Sequence, residues 1–211
     1  MGVRDLSSTE MLDRAYAVTS SKDIQNLYRD WSNTYDQHLQ DGLGYLAPAV
    51  LAAMLAPYIA DQKSKILDVG CGTGLVGIQL EELGYVNVDG LDFSQDMLEA
   101  ARKKRVYQNL IAADLNAFLK LSDESYDAMI CCGTFTIGHV GPDALNELLR
   151  ILKSGAPLVC TINAEVWIEY GFDRWLDIAE SEQRLVLKEK TSEKYFSKSD
   201  ERGNFCVLIK S

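Results

Sequence analysis

Residues 65–77 read K-I-L-D-V-G-C-G-T-G-L-V-G, a stretch that leaves the chain little choice of fold. Ile66, Leu67 and Val69 form a short, partly β-branched apolar run of the kind that makes a buried strand. Gly70, Gly72 and Gly74 follow at alternate positions, and a helical pattern begins after them. Glycine permits positive φ and lets a ligand approach the backbone without meeting a Cβ. The helix start adds unpaired N–H groups and a partial positive charge. Strand, glycine turn and helix N-terminus together predict a nucleotide-cofactor cradle in a doubly wound α/β sheet.

Two cofactor fingerprints overlap here. Residues 72–77 satisfy the dinucleotide pattern G-x-G-x-x-G. Asp68 argues the other way, because a carboxylate just before the first glycine repels a pyrophosphate and suits an ammonium or sulfonium group. Asp92 closes the second predicted strand, residues 86–93. An acid there accepts hydrogen bonds from ribose hydroxyls, which fits an adenosine cofactor of either kind.

The remaining pattern is regular. After a weakly patterned start over residues 1–20, Ser20 and Asp23 form a capping box, and Ile24, Leu27, Tyr28, Trp31, Tyr35 and Leu39 recur at helical spacing. A second helix is predicted over 45–60, with Pro48 in its first turn and Pro57 ending or kinking it. Helix 75–83 stops at Gly84, and Ser94 caps the next helix, with Asp96 in its first turn and Lys103, Lys104 and Arg105 in its last. Further strands are expected at 110–113, 126–133 and 156–162, helices at 143–153 and 163–183, and two closing strands at 184–196 and 205–210. The loop 133–139 falls at the carboxyl edge of such a sheet, where ligands bind.

Charge and cysteine usage narrow the function. A net charge of −10 disfavours a nucleic-acid partner. The five cysteines are an odd number without C-x-x-C spacing, so neither a disulfide framework nor a zinc site is expected, and a reducing, cytoplasmic setting fits. Cys131 and Cys132 lie in an apolar strand, where thiols have raised pKa values and make poor nucleophiles. The first residues contain no apolar h-region, so they are not expected to be a signal peptide, and the longest uncharged stretch, residues 45–60, is too short to span a bilayer. No repeat or linker divides the chain, so a single domain over 1–211 is expected, with 1–60 forming N-terminal helices and 61–211 the core.

Tyr28, Trp31, Tyr35-Asp36, Ala47-Pro48, I-L-D-V-G-C-G-T-G-L-V (66–76) and D-F-S-Q-D-M-L-E-A-A (92–101) together resemble the class I S-adenosylmethionine-dependent methyltransferases. Within that superfamily they are most similar to the group around the methyltransferase-like protein of the Williams–Beuren deletion region. The resemblance runs from about residue 28 to the last residue. It implies a Rossmann-like, doubly wound, seven-stranded sheet, mostly parallel, with one antiparallel strand near the edge and helices on both faces. It implies S-adenosylmethionine as methyl donor and S-adenosylhomocysteine as product. Asp68, Gly70, Cys71, Gly72 and Gly74 would then hold the cofactor at the glycine turn. Asp92 would take the ribose, Phe93 and Met97 would border the adenine, and Asp114-Leu115 would meet the adenine amino group. Cys132 would also contact the cofactor, and Tyr28, Trp31 and Tyr35 would form a lid over it. The expected acceptor is a small molecule, with no metal and no membrane partner, and the expected state is a monomer or weak homodimer. His139, in the loop after the fourth strand, is the candidate general base. Cys132-Gly133-Thr134-Phe135 stands where the N-P-P-[YF] tetrapeptide of the exocyclic-amine class would be, which disfavours adenine or glutamine as acceptor. A nicotinamide-dependent oxidoreductase and a cofactor-binding protein without catalytic activity are the competing readings.

Overall fold

Side chains that alternate between two apolar layers build the centre of the molecule. The computed structural model describes residues 6–17, 21–138 and 140–211. Strands β1 (Ile66–Val69), β2 (Val88–Asp92), β3 (Asn109–Ala112), β4 (Ala128–Phe135) and β5 (Pro157–Asn163) pair in parallel. Strands β6 (Leu185–Lys194) and β7 (Arg202–Lys210) complete a seven-stranded sheet in the order β3-β2-β1-β4-β5-β7-β6. Strand β7 lies between β5 and β6 and runs antiparallel to both. Along β4, Ala128 and Ile130 face one core while Met129 and Cys131 face the other. Both faces are therefore covered, as central parallel strands require.

Helices supply the two layers. On one face α6 (Ala144–Ile151), α7 (Ala164–Glu169) and α8 (Phe172–Ser181) bury Leu145, Leu148, Val166, Phe172 and Leu176. On the other, α1 (Ser8–Tyr16), α2 (Ser21–Trp31), α3 (Ala47–Leu55) and α4 (Leu75–Glu82) bury Met11, Trp31, Leu51, Leu55 and Leu80. Helix α5 (Gln95–Lys104) connects β2 to β3, and the Ser94 hydroxyl accepts from the Met97 N–H at its start. No helix among the described residues is long and apolar enough to cross a membrane.

Three elements depart from the pattern read in the sequence. The weakly patterned start contains α1, opened by a reciprocal Ser7–Glu10 capping box. The predicted stripe over 24–39 does not lie on one helix. α2 ends at Trp31, and Ser32 and Thr34 turn their hydroxyls onto the carbonyls of Arg29 and Trp31, competing with the helical ladder. The chain then winds into a π-helical turn, Gln37–Leu43, closed by Gly44 at φ 70°. The helix expected over 163–183 is two helices, split where Gly171 takes φ 77° and starts α8. The Ser20 capping box lies outside the described residues.

Strand order reverses between β1 and β4, and ligands bind at the carboxyl ends of strands on either side of such a switch point. There the β4–β5 register shifts between Cys131 and Phe135, and Gly133 takes φ 75° with its N–H on Thr161 Oγ1 at 2.8 Å. This irregularity turns the end of β4 toward the crevice.

Candidate cofactor cleft

The glycine turn is shaped by two different demands. At Gly70 (φ 69°) an added Cβ would lie 2.0 Å from Thr134 Oγ1, so close contact between the ends of β1 and β4 requires glycine. At Gly72 (φ 53°) an added Cβ would meet nothing within 4 Å, because that side of the backbone faces open space. The space is a cleft of about 860 Å³, part of it open to solvent, lined by both glycines. Gly74 (φ 94°) instead backs onto the Tyr107 ring, and Cys71 is buried with its N–H on the Leu91 carbonyl. Neither lines the cleft.

Asp92 organises the turn. Its Oδ2 accepts from the Gly72 N–H and its Oδ1 from the Ser94 N–H, both at 2.8 Å. Burial raises its pKa and these N–H groups oppose the rise. It lines the cleft with Phe93 and Met97, and Asp114 and Leu115 stand at the end of β3. Asp114 is exposed, with Oδ1 accepting from the Asn116 backbone at 2.9 Å.

Asp68 is placed differently from the expectation. It is 0% exposed and does not line the cleft, because β1 is buried on both faces. Its Oδ2 accepts from the Tyr107 hydroxyl at 2.5 Å, and its Oδ1 has no partner. Burial, opposed by that hydrogen bond and reinforced by the Asp92 charge, pushes its pKa up to about 7 from the ordinary 3.8. The unfolded chain releases this proton near the ordinary value. The stability that protonated Asp68 contributes is thus complete below 3.8 and lost as pH rises through about 7. Asp68→Asn should flatten the melting temperature of the ligand-free protein across this window. An unchanged fall in stability would assign it to another group.

The aromatic residues divide. Tyr28 and Tyr35 line the cleft, with ring centroids 6.4 Å apart. Burial, with the Asp92 charge nearby, raises the pKa of both hydroxyls, so they stay neutral. Trp31 does not reach the cleft. It is 1% exposed, packs edge-on against Tyr35 at 4.7 Å, and donates from Nε1 to His38 Nδ1 at 2.8 Å. It is a core residue, turned inward by the helical face it shares with Leu27.

Asp36, Thr73, Lys104 and Thr134 tie the parts together through contacts that sequence spacing did not predict. Asp36 accepts from Thr73 Oγ1 at 2.5 Å and from Lys104 Nζ at 2.6 Å, while Lys104 Nζ also donates to the Thr73 carbonyl at 2.7 Å. The N-terminal segment is thereby clasped to the glycine turn and to α5. Lys104 carried only a helix-end signal in the sequence. Thr134 packs on Gly70 and donates to the Val69 carbonyl, with no local signal at all. On the far wall, burial pushes the Cys132 thiol up to about 12, its Sγ lying 3.4 Å from the Tyr45 hydroxyl. His139 lies outside the described residues.

Comparison with known proteins decides the family. A family profile described as a methyltransferase domain matches residues 66–155. Human methyltransferase-like protein 27 is 35% identical over 149 residues, which is 69% of this chain and 60% of that protein. The chain belongs to the class I S-adenosylmethionine-dependent methyltransferase superfamily. It spans 60% of that relative's length. Solved members share its fold. A TehB-like S-adenosylmethionine-dependent methyltransferase from Corynebacterium glutamicum superposes with a TM-score of 0.63 at 24% identity, covering 85% of this chain and 98% of that one. The [4+2]-cyclase SpnF superposes with a TM-score of 0.69 at 16% identity, covering 92% and 97%. A cyclase on this fold means that the reaction must be argued from the site.

Proposed function

We propose that this methyltransferase-superfamily chain binds S-adenosylmethionine in the cleft and methylates a small-molecule acceptor. The observation that carries the reading is the charge of the cleft. Asp92 and Asp114 line it, and no lysine, arginine or histidine does among the described residues. A dinucleotide pyrophosphate would enter without a cation to meet it, whereas an ammonium and a sulfonium suit acidic walls. This disfavours the nicotinamide reading.

The residues fit the cofactor in kind. Gly72 leaves bare backbone for its amino-acid portion. Each Asp92 oxygen keeps acceptor capacity beyond its one backbone hydrogen bond, which serves the ribose hydroxyls. Phe93 and Met97 offer apolar edges to the adenine, and Asp114 an acceptor for its amino group. The faces of Tyr28 and Tyr35 attract positive charge. When bound, the cofactor supplies a methyl group already activated by the sulfonium. The protein's part is to position the acceptor and exclude water.

A small acceptor is supported by a second, smaller cavity, which shares Tyr28, Tyr35 and Gly133 with the cleft. Five free cysteines, four of them buried, fit a reducing compartment. The test is incubation with methyl-labelled S-adenosylmethionine and the separated small-molecule, protein and RNA fractions of a cell extract. Label is expected in the low-mass fraction; label confined to protein or RNA contradicts the reading.

A further inference from the structure

The second cavity has a chemistry of its own. Five tyrosines, among them Tyr16 and Tyr45, supply its rings with Trp31 and Phe196, and no lysine, arginine or histidine lines it among the described residues. At one end Tyr16 donates its hydroxyl to Glu201, a long-range pair joining α1 to the start of β7. Asp13 and Glu165 add negative charge beside Glu201. Thr136, 8% exposed, lines the same cavity, and its Oγ1 faces the Tyr16 hydroxyl without a well-formed hydrogen bond, which leaves it capacity for a ligand. Aromatic faces backed by the Glu201 carboxylate, which lies behind the Tyr16 hydroxyl and does not itself line the cavity, attract a cation and reject an anion.

We infer that this cavity recognises an organic amine, the basic nitrogen of the acceptor being held by the Tyr16–Glu201 pair and Thr136 Oγ1 among the tyrosine faces. The inference rests on the reading that the adjoining cleft holds the cofactor. It adds the acceptor's class: a molecule carrying a basic nitrogen, with carboxylates and phosphates excluded.

Benzylamine, benzyl alcohol and benzoate differ in charge at nearly constant shape. Their binding to the full chain is measured by ligand-observed nuclear magnetic resonance and calorimetry, with and without S-adenosylhomocysteine. Benzylamine is expected to bind at least about tenfold more tightly than benzoate, with the alcohol between. Glu201→Gln should erase the preference while S-adenosylhomocysteine affinity stays unchanged. Tyr16→Phe provides the same test should Glu201→Gln fold poorly. Equal or tighter binding of benzoate, no binding of any probe, or a preference that survives both variants would overturn the inference. Loss of S-adenosylhomocysteine binding with the amine preference intact would instead count against the cofactor reading alone.

Discussion

Trp31→Ala is expected to cost the ligand-free protein about 3–5 kcal/mol of stability, the range for truncating a large buried aromatic. The side chain is 1% exposed and shares a core cluster with Met11, Leu27, Leu39 and Leu43. Its removal opens a cavity beneath α2 and strands the His38 ring nitrogen that Nε1 now meets. Thermal and denaturant unfolding of the ligand-free protein measure the loss directly. The family resemblance implies the opposite outcome, because a lid residue touching cofactor would lose affinity and leave the melting temperature nearly unchanged. An unaltered melting temperature with weakened S-adenosylhomocysteine binding would return Trp31 to the cleft. Of the three rings, Tyr28 and Tyr35 line the cleft and Trp31 does not.

Asp92→Ala should weaken S-adenosylhomocysteine by roughly 1.5–3 kcal/mol, the worth of hydrogen bonds to a charged group. The effect has two sources. In the proposed mode of cofactor binding the carboxylate accepts from the ribose, and it also holds the Gly72 and Ser94 N–H groups that shape the turn. Loss of either loosens the cradle. The sheet should remain folded, since Asp92 sits at the end of β2 and is only partly buried. Calorimetry on the variant, with circular dichroism to confirm its fold, gives the answer. Wild-type affinity in a folded variant would remove Asp92 from the site.

The sheet was legible because parallel central strands must be apolar on both faces, and β1, β4 and β5 read as such runs. The glycine turn was legible because Gly70 and Gly72 serve local backbone demands that only that residue type meets. Depth was not legible. Sequence places Asp68 at the mouth of a strand but cannot say that it is buried there against the Tyr107 hydroxyl. The aromatic stripe gives a spacing of rings without saying which of them turn inward, so Tyr28 and Tyr35 line the cleft while Trp31 does not. Polar residues at 32–34 and Gly171 broke helices that periodicity alone joined. The Asp36–Thr73–Lys104 clasp joins positions 37 and 68 residues apart, beyond any local pattern.

Calorimetric titration of the full chain with S-adenosylhomocysteine and, separately, with NADH tests the central claim most directly. The acidic lining and the bare backbone at Gly72 predict that S-adenosylhomocysteine binds and, at about 100 times its dissociation constant, adds roughly 2.7 kcal/mol of stability, while NADH does neither. Binding and stabilisation by NADH, with none by S-adenosylhomocysteine, would contradict it.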